Sequence, residues 1–244
     1  MLKMLGLIVG TSVALVYAGY NTMSPRSQVY GRTFTGTGKN CREMALTFDD
    51  GPNDPHTLRL AEVLAKYDVK ATFFLIGQYV DRRPDIAREL VQAGHVVANH
   101  TYTHPNLVFR SQRETHEEIA KCERALNDAV GDQHAPLFRP PFGGRRPATL
   151  RTIRAAGLTP IMWSVTGFDW SAKTTAAIEK KVAAHVRGGD VILLHDGGHL
   201  QFGTDRSFTV QATERLLARY KGEGYAFKTI PQMMPSFRSP SLQQ

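Results

Sequence analysis

Five short apolar runs in this chain each lead into residues that can move protons, hold ions or pair with a carboxylate. Glu43–Asp49 closes on Asp49 and Asp50, and His95–Asn99 runs into His100 and His104. Leu137–Arg139 ends in Arg139, Thr159–Val165 is followed by Asp169 and Trp170, and Asp190–Leu194 by His195 and Asp196. Two histidines spaced i, i+4 can bring their imidazoles to one side of a single turn. A nearby carboxylate completes a three-ligand metal site with positions left for water and substrate. An Asp-Asp-Gly turn has no need of two successive acids. A metal site with its own base does: one aspartate binds the ion and the other takes a proton from the metal-bound water. His195 is a second, separate proton-transfer candidate. Arg139, stiffened by Pro140 and Pro141, can orient a carboxylate, and Trp170 can pack and line a pocket. Taken singly, each has a bland explanation as a turn, a cap, a packed side chain or a surface one. Their recurrence at five run ends makes a site.

The elements that must hold these residues alternate short apolar runs with helical patterns. Two further runs, Ala71–Ile76 and Tyr225–Thr229, bring the strand candidates to about seven. The runs are continuously apolar rather than alternating, as expected of strands covered on both faces. Between them, Pro84 opens a helix that Gly94 closes, and Ser111 with Glu114 forms a capping box for a helix through about Val130. Pro147 to Ala156 ends at Gly157, and Ala176 to Val186 ends at Gly188-Gly189. This order predicts an α/β fold on a parallel sheet, a class whose active sites lie at the carboxyl ends of the strands. Periodicity alone leaves open whether the sheet closes into a barrel.

The chain has 244 residues, 42% hydrophobic and 21% charged, which excludes a disordered chain, a collagen-like fibre and a small disulfide scaffold. Its 30 Lys and Arg against 22 Asp and Glu give a net charge of +8, suited to anionic surroundings such as cell-wall polymer, lipid head groups or nucleic acid. Lys3 precedes an uncharged run to Pro25 whose apolar part, Leu5 to Ala18, has the length of a signal-peptide core. Val16-Tyr17-Ala18 before Gly19 is the small-residue pattern that a signal peptidase reads. Residues 1–23 are therefore expected to be a cleaved signal peptide or a retained membrane anchor, either of which makes the domain exported, periplasmic or extracellular. Ser24 to Asn40 reads as a linker, residues 41–235 as one catalytic domain and 236–244 as a loose tail. Cys41 and Cys122 would face an oxidising compartment that permits a disulfide. Cys122 also falls on an apolar helix stripe with Ile119 and Leu126, and reads at least as well as core packing.

The wording of the motifs goes further. Thr47-Phe48-Asp49-Asp50-Gly51-Pro52, His100-Thr101-Tyr102-Thr103-His104, Arg139-Pro140-Pro141-Phe142-Gly143 and Leu193-Leu194-His195-Asp196 resemble, in order, four motifs of the polysaccharide deacetylase family (NodB-type, carbohydrate esterase family four). With Ala71-Thr72-Phe73-Phe74 the resemblance spans Arg42 to Ile230. It implies a distorted (β/α) barrel of about seven parallel strands, the NodB homology domain. It also implies a hydrolase that removes N-acetyl groups from N-acetylhexosamine polysaccharide, peptidoglycan or chitin-type, and releases acetate. By the same resemblance Asp50, His100 and His104 would bind one divalent metal ion, zinc or else cobalt or nickel, and Asp49 would be the general base. Arg139 would hold Asp49, His195 would be the general acid, and the Phe142 N–H would stabilise the oxyanion. Trp170 and Leu193 would line the pocket for the acetyl methyl, and Asp169 would tune His195. The family's fourth motif usually reads Asp-x-x-Asp-Trp. Here it is Thr166-Gly167-Phe168-Asp169-Trp170, which puts in doubt whatever hydrogen bond the first acid makes.

Other classes fit less well. An O-acetyl esterase acting on acetylated xylan is the nearest alternative, because the same apparatus hydrolyses esters. A non-catalytic polysaccharide-binding protein would be expected to have lost a ligand or the base, and Asp49, Asp50, His100, His104 and His195 are all present. Two histidines and a carboxylate also describe non-haem iron oxygenases, which need neither a paired aspartate nor a distal histidine acid. Arg145, Arg146, Arg151 and Arg154 raise nucleic-acid binding, but no nucleic-acid motif accompanies them and they read as a solvated helix face. No nucleic-acid partner is expected.

Overall fold

The computed structural model describes residues 16–38 and 41–234. The core of the expected leader and the expected tail from residue 236 lie outside the described residues. Strand β1 (Glu43–Gly51) is central in the sheet. On one side follow β2 (Thr72–Leu75), β3 (Val96–Asn99), β4 (Leu137–Phe138) and β5 (Thr159–Pro160). On the other lie β7 (Asp190–His195) and then β6 (Val165–Thr166), and β8 (Ala226–Phe227) pairs with the start of β1. These strand pairings are all parallel. The main connecting helices are α1 (His56–Lys66), α2 (Gly77–Arg82), α3 (Pro84–Gln92), α4 (Gln112–Val130), α5 (Pro147–Ala155), α6 (Thr175–His185) and α7 (Ser207–Gly222). The capping box expected for α4 is present, Ser111 Oγ accepting from Glu114 N–H at 3.2 Å and Glu114 Oε2 from Ser111 N–H at 2.8 Å.

The strands are apolar on both faces because each face has a core. Leu46, Phe48, Phe73, Leu75, Ile192 and Leu194 belong to the cluster shared with the helices, whereas Ala45, Phe74, Ala98, Leu137, Ile161 and Val191 form a second cluster on the alternate positions. Strands β4, β5 and β6 have two residues each, too few ladder bonds to secure an edge. Burial does that work, at about 1.5–3 kcal/mol for each large side chain taken fully out of water.

The expected strand Thr159–Val165 is two strands. β5 pairs with β4 at one edge of the sheet, while β6 pairs with β7 at the other. Pro160 lacks the N–H that a continued ladder needs, and the chain from Ile161 to Ser164 crosses the seam between the two edges. A single stretch of sequence thus brings the sheet round into a distorted barrel. Residues 24–38, the described part of the linker expected over 24–40, lie against that seam: Phe34 N–H donates to Pro160 O at 3.1 Å, and Met162 N–H donates to Phe34 O at 2.8 Å. Residues 16–23 ahead of them are helical.

Both cysteines are free, and Cys122 is buried on α4 with Sγ 3.5 Å from Leu75 O, so it packs in the core and no disulfide forms. Among the described residues, no helix is long and apolar enough to cross a membrane.

Candidate active site

A regular strand points successive side chains to opposite faces, which would separate Asp49 from Asp50. Here the register of β1 against β2 shifts between Asp49 and Gly51, and Asp50 takes φ of 73°. This bulge lets both carboxylates reach one cavity. Gly51 is required beside it, since a Cβ there would fall 2.0 Å from Asp196 Oδ2. Thr101 (68°), His104 (59°), Phe142 (58°) and Phe168 (50°) also carry left-handed φ, all in loops beyond strand ends. Such conformations cost of order 1–3 kcal/mol each and persist only where the surroundings enforce them. The expected single turn through His100 and His104 is therefore not helical. The rings meet, with centroids 4.9 Å apart, by way of this bent loop.

His100 Nδ1 lies 2.7 Å from Arg139 O. A carbonyl only accepts, so Nδ1 carries a proton and Nε2 is left to face the cavity. His100 Nε2 is 3.5 Å, and His104 Nε2 3.2 Å, from Asp50 Oδ1. One atom each of Asp50, His100 and His104 lies within 4.8 Å of the others, and all three residues are buried. Among the described residues Asp50 Oδ1 nonetheless has no hydrogen-bond partner. Burial works against its ionisation, but His100, His104 and His199 around it more than offset this and hold the carboxyl well below its ordinary pKa. His104 is pushed below its ordinary value, chiefly by burial. A buried carboxylate oxygen without a partner, faced by two imidazole nitrogens, fits a divalent cation.

The proton-transfer groups are held separately. Asp49 Oδ1 accepts from Arg139 Nη1 at 2.6 Å, and the same nitrogen donates to Thr47 Oγ1 at 2.8 Å. Arg139 is not the surface arginine that a lone residue of its type suggests. It is fully buried, 4.1 Å over the Phe74 ring, with Nη2 donating to Met162 O at 3.3 Å. His195 Nδ1 donates to Asp169 Oδ1 at 2.9 Å, while Asp169 Oδ2 accepts from His195 N–H and Thr209 Oγ1, both at 2.8 Å. Burial pulls the His195 pKa down, but Asp169 first and then Asp50 and Asp49 hold it up, to about 9. Asp169 is lowered in turn: burial opposes its charge and His195 outweighs burial. Thr166 Oγ1 accepts from Phe168 N–H at 3.3 Å and takes no part in holding Asp169.

Asp49, Asp50, His100, His104 and His195 open onto one cavity of about 600 Å³, with Phe142, Trp170 and Leu193 on its apolar wall. Arg139 and Asp169 stand behind it, so every expected site residue converges here. Among the described residues the Phe142 N–H has no acceptor in the protein. Asp196 does not line the cavity; it is buried, pushed up to about 7 by burial, and its Oδ2 accepts from Thr57 Oγ1. Trp163, His199 and Arg206 also line the cavity and were not anticipated. His199 stacks on His104 at 4.5 Å with Nδ1 3.8 Å from Asp50 Oδ2. Its sequence signal was a histidine in a Gly-Gly-His stretch directly after Asp196.

Residues 36–161 match the family model described as polysaccharide deacetylase. The chain belongs to the polysaccharide deacetylase family. It is an enzyme of that class, with the family's barrel. The chain is similar to the chitooligosaccharide deacetylase of Sinorhizobium fredii, 39% identical over 208 residues that cover 83% of this chain and 97% of that one. It is also similar to a peptidoglycan-N-acetylglucosamine deacetylase of Bacillus cereus, 37% identical over 84% of this chain and 72% of that one. Among solved structures, the crystal structure of the Bc1960 peptidoglycan N-acetylglucosamine deacetylase superposes with a TM-score of 0.76 at 34% identity, covering 83% of this chain and 92% of that chain.

Proposed function

We propose that this polysaccharide deacetylase is exported and removes N-acetyl groups from an N-acetylglucosamine polymer, peptidoglycan or chitin-type, using a divalent metal ion held by Asp50, His100 and His104. The carrying observation is that two separately held proton-transfer groups, Asp49 and His195, open onto the same cavity as the Asp-His-His set. The two curated relatives support the substrate class, and the apolar leader with the net charge of +8 supports export to an anionic wall. Two nitrogens and one oxygen suit zinc, and cobalt or nickel accept the same donors.

A divalent ion held by Asp50, His100 and His104 would supply Lewis acidity, polarising the acetyl carbonyl and lowering the pKa of the attacking water. Asp49, its Oδ1 fixed by Arg139, accepts the proton of the attacking water through Oδ2. The Phe142 N–H donates to the oxyanion that forms as the carbonyl carbon becomes tetrahedral. His195, charged at neutral pH because its pKa stands near 9, then donates its Nε2 proton to the amide nitrogen as the carbon–nitrogen bond breaks. An amine leaves poorly unless it is protonated, so the acid is needed even with the ion in place. Acetate and a free sugar amine result. Trp170 and Leu193 surround the methyl, and Thr166 leaves the Asp169–His195 pair intact.

The test is acetate release by the full chain from N-acetylglucosamine oligomers, peptidoglycan and acetylated xylan, with EDTA and after zinc or cobalt is restored. Metal-dependent release from an N-acetylated sugar is expected. Release from xylan alone would make it an ester hydrolase, and no release with metal demonstrably bound would leave a binding role.

A further inference from the structure

We infer that residues 22–37, the strap ahead of the barrel, are a positioning element of the active site, tied to it through the buried guanidinium of Arg145 and through Met162. The inference rests on the deacetylase reading above, and it concerns a stretch that lies almost wholly before the family match beginning at residue 36.

Arg145 is not on a solvated helix face. It is 1% exposed, and among the described residues it has no carboxylate partner. Its charge is met by backbone carbonyls: Nη2 donates to Ser24 O at 2.6 Å and Ser27 O at 2.8 Å, and Nη1 donates to Gly143 O at 3.0 Å. Its own N–H donates to Thr22 O at 3.1 Å. Burial lowers its pKa, so the strap carbonyls stand where a counter-ion would be expected. Gly143 follows Phe142 in the turn Pro141–Gly143, and Phe142 keeps its φ of 58° there. The fork of one arginine thus clamps the strap to the turn that presents the oxyanion donor.

A second thread leaves the strap at Phe34. Its carbonyl accepts from Met162 N–H at 2.8 Å, Met162 O accepts from Arg139 Nη2 at 3.3 Å, and Arg139 Nη1 donates to Asp49 Oδ1 at 2.6 Å. The two threads meet at the seam, where a Cβ on Gly143 would lie 2.8 Å from Trp163 and 3.0 Å from Met162. The strap therefore backs both the base and the oxyanion donor. The ion ligands lie at the ends of β1 and β3; His100 meets the second thread at Arg139 O (2.7 Å) and the His104 ring packs on Phe142 (centroids 4.7 Å), but neither ligand touches the strap itself. Loosening the strap should misplace the reacting groups, which costs up to about a hundredfold per ångström of displacement, and leave ion binding alone.

The experiment compares full-length wild type, Arg145→Ala and Arg145→Lys for kcat and KM on an N-acetylglucosamine oligomer, and for zinc affinity by competition with a chromophoric chelator. Arg145→Ala is expected to lower kcat about 10–100-fold, with KM and zinc affinity within about twofold of wild type. Arg145→Lys keeps the charge but cannot reach three carbonyls from a planar fork, so an intermediate kcat is expected. If the alanine variant does not fold, lysine alone decides: lowered kcat with wild-type zinc affinity supports the strap's role, and wild-type kcat overturns it. A parallel fall of kcat and zinc affinity in either variant also overturns it, since that is general damage to the fold. Wild type that binds zinc but releases no acetate sinks the deacetylase reading and this inference with it; wild-type release with unchanged Arg145→Ala kinetics sinks the strap alone.

Discussion

On one side of the cavity Asp50, Thr101 and His104 all take left-handed φ, and the register of β1 against β2 slips at the acidic pair. On the other side β7 runs beside β1 in unbroken register from Met44↔Asp190 to Asp49↔His195, and His195 takes its place from Asp169, held by Thr209 of α7. Donors for an ion must converge on a point, which a strand's alternation forbids and a bulge permits. A proton donor needs only one nitrogen in place and a charge behind it, which a regular strand and a buried carboxylate supply. Strained local backbone dominates the ion side, although His100 is also tied to Arg139 O; contacts between distant parts of the chain dominate the acid side, although Phe168 before Asp169 takes a left-handed φ of 50°.

If that contrast is right, the largest loss comes from the ion side. His104→Ala is expected to abolish stoichiometric zinc binding and to lower kcat at least a thousandfold, because the ion's share of transition-state stabilisation is several kcal/mol. Metal analysis of the purified variant, alongside acetate release, checks it. A variant that keeps both metal and turnover would show that the bent loop does not form the ion site.

His195→Ala and Asp49→Asn are expected to lose about 10²–10⁴-fold in kcat while binding zinc as wild type does. Loss of metal from the His195 variant would mean that the two sides are not built independently. Arg139→Leu acts between them. It strands Asp49 in the interior, and breaking a fully buried pair costs about 3–5 kcal/mol, so it should show in denaturant unfolding as well as in kcat.

The strand ends were readable because each chemical residue followed an uninterrupted apolar run, and both faces of a covered parallel strand must be apolar. The capping box at Ser111 and the glycines after α3 and α5 announced their helices for the same local reason. Helices α1 and α7 have N-cap residues, Pro55 and Arg206, that make no side-chain cap hydrogen bond, and their starts were not read from the sequence. What stayed hidden was long-range. No pattern in Thr159–Val165 says that its two ends pair with opposite edges of one sheet. A Ser/Thr/Gly-rich stretch reads as linker until a buried guanidinium is seen to use its carbonyls. Arg145 looked like part of a basic surface because composition cannot show which arginine the barrel encloses. Asp49 and Asp50 were read together from the sequence, yet the left-handed φ of Asp50 and the register shift that let them share a cavity are visible only in the structure.

The charge relation on the acid side predicts a pH response of its own. In the metal-free protein His195 should titrate near 9, followed by the NMR signal of its ring protons. Bound zinc should lower that value, since Asp50 and Asp49 contribute to raising it and the ion offsets them. Because the folded pKa lies above that of free histidine, the stability His195 contributes is complete below about 6.5 and is lost as pH rises through about 9. In kinetics the same group gives an alkaline limb in kcat. Asp169→Asn removes the largest charge holding the pKa up, so the limb should move to lower pH. An unmoved limb would assign it to another group.

The smallest effect, and the sharpest test of how the acid side is held, is Thr209→Val. The hydroxyl is one of three donors on Asp169, the others being His195 N–H and Nδ1–H. Its loss leaves Oδ2 with one partner and should cost about 0.5–1.5 kcal/mol of stability. Asp169 is lowered in the folded state, so this contribution is present at neutral pH and is lost as pH falls through the folded pKa. With less support for its charge, Asp169 moves up slightly but stays ionised near neutrality. The His195 limb should then shift by far less than in Asp169→Asn, and kcat at pH 7 should stay within about threefold of wild type. A limb displaced as far as in Asp169→Asn would mean that α7, and not β7 with its own backbone N–H, sets the geometry of the acid.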